Sequence, residues 1–130
     1  KEYMSNNHIV YSCQYHIVFC PKYRRKVLEE DIAKRLKELV KIKCEELNCN
    51  IIEMEVMPDH VHLLLDVDPY ISVLKTVNQI KGHLSRNLRE EFPSLKSRLP
   101  SLWTHDKFIS TVGDLDLKEV KEYIANQKGK

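Results

Sequence analysis

The side chains best suited to chemistry in this sequence are two histidines, His60 and His62, that flank a single valine. They lie in the segment Pro58-Asp59-His60-Val61-His62-Leu63-Leu64-Leu65, whose apolar residues favour a buried β-strand. Side chains alternate between the two faces of a strand, so both imidazoles would project from one surface while Val61, Leu63 and Leu65 enter the core. Paired imidazoles can chelate a divalent metal ion, although a polar sheet face without a metal also fits so short a motif.

A tyrosine and a glutamine near the end of the sequence form a second candidate group. Tyr123 and Gln127 are four residues apart and would share one face of a predicted helix. A tyrosine hydroxyl has a pKa of about 10, so as a nucleophile at neutral pH it needs a base or a metal-polarised electrophile. The histidine pair could bind such a metal, and the amide oxygen of Gln127 could be its third ligand. The alternative is a surface tyrosine that anchors the helix to a sheet.

A cluster of basic residues around an aromatic ring indicates a third candidate site. In the segment Lys22-Tyr23-Arg24-Arg25-Lys26, lysines and arginines could grip phosphates and Tyr23 could stack on an exposed base. A solvated turn is the alternative for such a charge run. Trp103 is either a core residue or a stacking platform, and the core position is favoured. His16 is predicted to be structural or to lie near a phosphate, and Asp59 could orient an imidazole.

Composition narrows the class of protein. The sequence has 130 residues, 42% hydrophobic and 31% charged, which predicts one globular domain, 1–130. It contains no apolar run of membrane-spanning length and no signal-peptide pattern, so we expect a cytoplasmic protein without a membrane partner. The four cysteines form no CxxC pair, which favours reduced, mostly buried thiols over a zinc site. The net charge of +2 says little about partners, because a nucleic-acid surface depends on clustered charge.

Hydrophobic periodicity predicts the elements that position these residues. Alternation predicts a long first strand over 8–20 and an antiparallel hairpin over 51–66, in which Ile52, Met54 and Val56 face inward. A first helix would end near Asn48, and a second would begin near Ile71. A loop over 92–106 that could include a short helical turn, a strand over 107–112 and a last helix over about 116–128, capped by Asp116 after Gly113, complete the order. The core, about 8–112, then has the βαββαβ order of ferredoxin-like or RRM-like α+β domains, with helices on one sheet face and the other face open.

The second helix is predicted to present a basic face. Its apolar positions face the core, and its remaining face carries Lys75, Lys81, His83, Arg86 and Arg89. Gly82 within it costs about 1 kcal/mol relative to alanine, which suggests close packing or approach to a ligand.

Taken together, these motifs resemble one family. The His60-Val61-His62 strand, the Lys22-Tyr23-Arg24-Arg25 loop and the Tyr123-Ile124-Ala125-Asn126-Gln127 helix are similar to those of the single-tyrosine HUH transposases. These small enzymes move insertion sequences as single-stranded DNA. The resemblance covers nearly the whole chain and its order of elements.

The resemblance implies a set of roles. His60 and His62 would be metal ligands, Tyr123 the nucleophile on the C-terminal helix, and Gln127 the third ligand. The metal would be Mg²⁺ or Mn²⁺, and two imidazoles with an amide suit manganese at least as well. Family members are homodimers that join their sheets through edge strands. Their tyrosine helix can lie against the histidine pair of the partner subunit, and Gly113 would be the hinge in this chain.

The expected activity is that of a metal-dependent single-strand DNA endonuclease and strand transferase, a transposase. Tyr123 would form a 5′-phosphotyrosine at hairpin-marked element ends. The candidate DNA contacts are Lys22, Tyr23, Arg24, Arg25, Lys81 and Arg86. Two alternatives stay open: a non-catalytic single-strand nucleic-acid-binding module of the same fold, and a domesticated or replicative relative with the same nicking chemistry.

Overall fold

The core elements follow the predicted order, with an additional strand near the start of the chain and a short helix within the predicted loop over 92–106. The computed structural model describes residues 3–6, 9–112 and 117–127, the side chains of residues 6 and 117–120 excepted. The strands and helices, apart from a 3-10 turn at Lys22–Arg24, are β1 Met4–Asn6, β2 Ile9–Tyr11, β3 Gln14–Phe19, α1 Glu30–Glu46, β4 Asn50–Met57, β5 His60–Asp66, α2 Val73–Glu91, α3 Ser94–Arg98, β6 Phe108–Thr111 and α4 Leu117–Asn126.

A four-stranded antiparallel sheet is the framework of the structure, with strand order β4-β5-β3-β6. The β4–β5 pair is the predicted hairpin, turned by Pro58 and Asp59. β3 lies between β5 and β6, so its partners come from distant parts of the sequence. This order and direction are those of a ferredoxin-like domain, and the predicted α+β fold class is confirmed.

The hydrophobic core lies between one face of this sheet and the helices α1 and α2, which contact each other. Val61, Leu63 and Leu65 of β5 are fully buried, as their alternation predicts. Both helices direct a stripe with helical spacing into the same core, formed by Leu36, Leu39, Val40, Cys44, Val77, Ile80, Leu84 and Leu88.

The predicted first strand over 8–20 is wrong in its length. It is divided into β2 and β3, and β2 pairs instead with β1 in a separate two-stranded sheet. The break at Cys13 has a specific cause, since its amide donates to Oδ1 of Asp66 at 2.9 Å. A carboxylate far along the chain thus takes a hydrogen bond that a strand ladder would otherwise use. His8 lies outside the described residues.

The predicted inward position of Ile52 is also wrong. The β4–β5 register shifts between Ile51 and Glu53, which is a β-bulge. One extra residue reverses the alternation, so Ile51 packs against the core and Ile52 is 40% exposed. Met54 and Val56, beyond the bulge, pack against the core as predicted.

The second sheet face is only partly open. The ring of Tyr123 on α4 lies 5.1 Å from that of Phe108 on β6. Val18, next to Phe108 in the register and turned away from Ile17, is fully buried. The last helix therefore covers part of the face predicted to be open. Its predicted cap Asp116 and hinge Gly113 lie outside the described residues. Within the described ranges, none of the helices has the length and apolarity needed to cross a membrane.

The burial of Leu63 on the central strand β5 predicts a large cost of truncation. Leu63→Ala should lower the free energy of unfolding by about 2–5 kcal/mol, because it leaves a cavity in a packed core. Ile52→Ala, on the exposed outer side of the bulge, should cost less than about 1 kcal/mol. Urea denaturation measures both, and equal losses would contradict the bulged β4–β5 register.

Candidate active site

The histidine pair lies on the sheet face opposite the main core. His60 and His62 are half-buried and alternate with the fully buried Val61, as the sequence predicts. Both line a cavity of about 330 Å³ beneath the last helix. Its other lining residues are Arg24, Glu55, Met57, Lys121, Ile124 and Ala125.

The orientation of His60 is fixed by its neighbour in sequence. Nδ1 of His60 lies 2.8 Å from Oδ1 of Asp59 and donates to that carboxylate, because an ionised carboxylate only accepts. The prediction that Asp59 contacts an imidazole is confirmed. Within the described part of the chain, Nε2 of His60 forms no hydrogen bond, so this nitrogen keeps a lone pair for a ligand.

The orientation of His62 depends on a residue whose role the sequence did not indicate. Nε2 of His62 lies 3.0 Å from Nδ1 of His16 on β3, and the two rings stack with centroids 5.3 Å apart. Burial, and then the neighbouring His16, lower the pKa of His62, which favours its neutral, metal-binding form. His16 pairs with Leu64, so it is the diagonal neighbour of His62. Only the strand register reveals this contact.

The basic loop has an unusual backbone that directs one arginine inward. Tyr23 and Arg24 have φ values of 60° and 51°, in the left-handed region that costs about 1–2 kcal/mol per residue. Backbone hydrogen bonds from Lys22 to Leu102 and from Arg24 to Pro21, both 2.8 Å, hold this turn. The loop conformation is therefore set by its attachment to the loop before β6.

Arg24 joins three parts of the site. Its Nε lies 3.1 Å from Oδ2 of Asp59, the carboxylate that orients His60. Its Nη1 donates to the backbone oxygen of Ile124 in α4 at 3.0 Å. Arg24 was predicted to contact DNA, but its side chain is already engaged within the protein. Tyr23 and Arg25 beside it are exposed.

The structure brings α4 to the histidine pair but directs its tyrosine elsewhere. Lys121, Ile124 and Ala125 line the cavity, and Tyr123 does not. The Tyr123 hydroxyl is buried without a hydrogen-bond partner among the described residues. Burial raises its pKa, and the nearby Cys20 and Asp106 add to the effect. In this conformation the phenol is protonated and turned toward β6.

Gln127 occupies a similar position at the end of α4. It is 3% exposed, and its Oε1 has no hydrogen-bond partner within the described part of the chain. An amide oxygen that is buried without a partner among the described residues is free to accept a hydrogen bond or to bind a ligand. Gln127 does not line the cavity of His60 and His62 in this conformation.

The donor set fits a divalent ion in part. Among residues 3–6, 9–112 and 117–127, no group of three or more histidine, cysteine or acidic residues is arranged to bind a metal. Two neutral imidazoles at one cavity would therefore need a further ligand from a side chain of another type. The unpaired oxygen of Gln127, on the helix above them, is chemically suited to that position.

The second helix places its two candidate DNA residues differently. Arg86 is exposed, but Lys81 is only 8% exposed, so its predicted place on a solvent-facing basic surface is wrong. The Lys81 ammonium donates to the backbone oxygen of Thr104 at 2.9 Å, and burial lowers its pKa to about 8. Trp103, in the core as favoured, donates from Nε1 to the Lys81 carbonyl at 3.0 Å. Lys81 thus holds the loop before β6.

An antiparallel ferredoxin-like sheet with an HxH strand, covered by a tyrosine-bearing helix, defines a protein of the single-tyrosine HUH transposase class. Residues 9–127 match the family model described as "Transposase IS200 like". The chain belongs to this family of IS200-like transposases, and the sequence-based assignment is confirmed.

Two curated relatives show how closely the chain follows this family. It is 36% identical to the ISDra2 transposase TnpA of Deinococcus radiodurans over 123 residues. That alignment covers 93% of this chain and 88% of the relative. It is 34% identical over 122 residues to the transposase for insertion sequence element IS200 of Salmonella typhimurium, with 92% and 80% covered. These alignments span almost the whole chain.

Two solved structures share the fold. A Deinococcus radiodurans protein assigned as a transposase superimposes with a TM-score of 0.89 at 30% identity, covering 98% of this chain and 99% of that one. The REP-associated tyrosine transposase bound to a REP hairpin gives a TM-score of 0.58 at 14% identity, covering 93% and 68%. The second likeness supports the fold alone.

The two contacts of Arg24 predict that it holds α4 against the histidine pair. Arg24→Ala should accelerate amide hydrogen exchange in residues 117–127 by about 10–100-fold, because hydrogen bonds to charged groups contribute about 1.5–3 kcal/mol. Hydrogen exchange followed by mass spectrometry measures this. Arg25→Ala removes the same charge from an exposed neighbour and should leave the exchange of α4 unchanged. Equal acceleration in both variants would show that the loss of positive charge, and not the loss of the two Arg24 contacts, loosens the helix.

Proposed function

We propose that this transposase is a metal-dependent single-strand DNA endonuclease and strand transferase, with Tyr123 as its nucleophile. The observation that supports this most is the cavity at His60 and His62, covered by helix α4, which carries Tyr123 and the unpaired oxygen of Gln127. A phosphate in that cavity would lie between two metal-binding side chains and the nucleophile's helix. Family membership supplies DNA transposition as the context.

His60, His62 and Gln127 would hold a divalent ion, Mg²⁺ or Mn²⁺. When bound, this ion supplies Lewis-acid polarisation of the scissile phosphate and screening of its charge. Asp59 keeps Nδ1 of His60 protonated, so Nε2 of His60 keeps its lone pair and would be the atom that binds the metal. Two imidazoles and an amide are softer than a usual magnesium site, so manganese suits the set at least as well.

Tyr123 would attack the phosphorus of a single strand. A bond forms between Oη and phosphorus, the bond from phosphorus to the 3′ oxygen breaks, and the released 3′ oxygen ends as a hydroxyl. The tyrosine proton passes to solvent as the ester forms and the leaving 3′ oxygen takes up one proton, so the step is proton-neutral and the product is a 5′-phosphotyrosine. Since this ester retains the energy of the broken phosphodiester, a second 3′-hydroxyl can displace Tyr123 and rejoin strands without a nucleotide cofactor.

This reaction requires α4 to move from its docked position. The Tyr123 hydroxyl is buried, its ring lies beside Phe108 of β6, and Tyr123 is not among the residues that line the histidine cavity. A protonated phenol is also a poor nucleophile. We infer that α4 shifts when substrate binds, and that it then presents Tyr123 and Gln127 to a histidine pair. That pair belongs either to its own chain or to the partner in a homodimer, joined through the edge strands β4 or β6.

Single-stranded DNA with hairpin ends is the proposed substrate, and the cytoplasm is the proposed place of action. Tyr23 and Arg25 are exposed beside the site and could receive the strand.

An open cleft of about 520 Å³ along α2 is lined by Lys75, Gly82 and Arg86, among others. A Cβ on Gly82 would meet Nη1 of Arg86 at 3.3 Å, so the glycine gives the guanidinium room beside the helix. This cleft is the candidate for backbone phosphates of a hairpin.

One observation favours the second candidate, a binding module without chemistry. The buried, unpaired hydroxyl of Tyr123 would suit a tyrosine that only packs the helix on the sheet. The two functions differ in whether a covalent bond to DNA forms.

A covalent adduct is the expected product of the proposed chemistry. Wild-type protein with end-labelled single-stranded DNA bearing an end hairpin and Mn²⁺ should give a labelled protein band on a denaturing gel. Tyr123→Phe should abolish the adduct, His62→Ala should reduce it at least about a hundredfold, and EDTA should remove it. Tyr70→Phe, at a tyrosine that is 60% exposed, is the matched control and should retain full activity. Binding without an adduct, across several hairpins and both metals, would favour the binding module.

The α2 cleft predicts a position-specific loss of DNA affinity. Arg86→Ala should weaken hairpin binding and reduce the slope of log K against log salt by about one, since one phosphate contact is lost. Lys34→Ala removes a charge from α1, outside the cleft, and should change neither quantity. Fluorescence anisotropy across a salt series measures both. An Arg86 variant that behaves like the Lys34 variant would place the DNA elsewhere.

A further inference from the structure

A third histidine lies beside the candidate metal ligands, in a position that the proposed reaction has not used. His16 on β3 and His62 on β5 are diagonal neighbours across the central strand pair. Nδ1 of His16 lies 3.0 Å from Nε2 of His62, and the ring planes are 24° apart. This is a hydrogen bond between two imidazoles, so one ring donates and the other accepts.

The direction of this hydrogen bond decides which nitrogen of His62 can bind a metal. A neutral imidazole has one N–H and one lone pair, and a ligand nitrogen must carry the lone pair. If Nε2 of His62 donates to His16, Nδ1 keeps its lone pair. If His16 donates instead, Nδ1 of His62 carries the proton and cannot be a ligand.

The surroundings of His62 favour the first direction. Nδ1 of His62 forms no hydrogen bond among the described residues, whereas its Nε2 is engaged by His16. The same arrangement holds at His60, where one ring nitrogen donates to Asp59 and the other stays unpaired. Each histidine of the pair then donates one N–H to a protein acceptor and keeps one lone pair, which is the usual arrangement around metal-binding histidines.

We propose that His16 is a positioning residue that accepts a hydrogen bond from Nε2 of His62 and thereby fixes the tautomer in which Nδ1 of His62 is the ligand atom. The inference rests on the proposed function for the direction of this hydrogen bond and for its consequence, metal binding. Its structural content, the tautomer of His62, exists in the metal-free protein. His60 and His62 would then differ, since one donates to a carboxylate and the other to an imidazole.

The tautomer can be observed directly in the metal-free protein. Long-range ¹H–¹⁵N correlation spectra of ¹⁵N-histidine-labelled protein distinguish a protonated from an unprotonated ring nitrogen. They should be recorded near pH 8, above the ordinary histidine pKa of about 6.5. Signals of His62 among the six histidines are assigned by their absence in His62→Gln. We expect the proton on Nε2 of His62, and a proton on Nδ1 would overturn the proposal.

Two substitutions separate the hydrogen bond from the ring stack. His16→Phe keeps a ring against His62 but removes the acceptor, whereas His16→Asp removes the ring but provides an obligate acceptor at a similar distance from the backbone. In His16→Phe we expect a mixture of His62 tautomers and Mn²⁺ binding weakened by about 10–100-fold. In His16→Asp we expect the wild-type tautomer and Mn²⁺ binding at least as tight as wild type. Isothermal titration calorimetry gives the Mn²⁺ affinities.

The outcomes distinguish this proposal from the proposed function. An unchanged His62 tautomer in His16→Phe would show that His16 only stacks, even if DNA cleavage is intact. A wild-type protein with the expected tautomer but no Mn²⁺ binding would contradict the metal-dependent reaction and leave the tautomer assignment standing. If one variant fails to fold, which circular dichroism monitors, the wild-type spectrum still decides the tautomer of His62, and the other variant tests the role of His16.

Discussion

The site depends on the carboxylate of Asp59, which is shared between two partners. One oxygen accepts from His60 and the other from Arg24, which also binds the Ile124 carbonyl of the last helix. The orientation of His60 and the docking of α4 therefore both depend on one side chain in the hairpin turn. Because charge-assisted hydrogen bonds are about twice as strong as neutral ones, this chain of contacts is stiff for a partly exposed site. Any displacement of α4 also changes what Arg24 can do for Asp59.

The direction of Arg24 is in turn set by the fold beneath it. Its left-handed backbone persists because Lys22 and Arg24 donate to the carbonyls of Leu102 and Pro21. The loop that contains Leu102 is fixed from the other side by Lys81 and Trp103. Trp103 packs edge-on against Phe19, with centroids 4.8 Å apart, at the end of the strand that carries His16. A buried lysine on α2 is thus connected, through a tryptophan and a strained turn, to the histidine cavity.

Periodicity predicted those elements whose burial is local in the sequence, and it failed where a distant atom intervened. Strand β5 alternates between its two faces and helix α2 buries residues at helical spacing, as their apolar residues require. The core face and the histidine face were therefore both predictable. The break at Cys13 depends on Asp66, and the outward turn of Ile52 depends on one bulged residue. Because Lys81 is charged, we predicted that it would be exposed to solvent. Inside the protein, however, backbone carbonyls accept hydrogen bonds from its ammonium. The contact between His16 and His62 follows from strand register, which hydrophobic pattern alone does not fix.

Two contacts hold α4 in its docked position, and two unpaired polar atoms oppose it, which is a balance that suits a moving helix. Arg24 and the Tyr123–Phe108 ring contact hold it in place. Against this, the Tyr123 hydroxyl and the Gln127 oxygen are both buried without partners among the described residues, at a cost of about 1–3 kcal/mol for each group. Release of the helix restores hydration, or a ligand, to those two atoms. A phosphate near Arg24 would also compete with Asp59 and Ile124 for its guanidinium. Substrate entry would then weaken the contact that holds α4, and the two unpaired atoms would gain partners on release. The residues that hold Tyr123 in its docked position would therefore also favour its release.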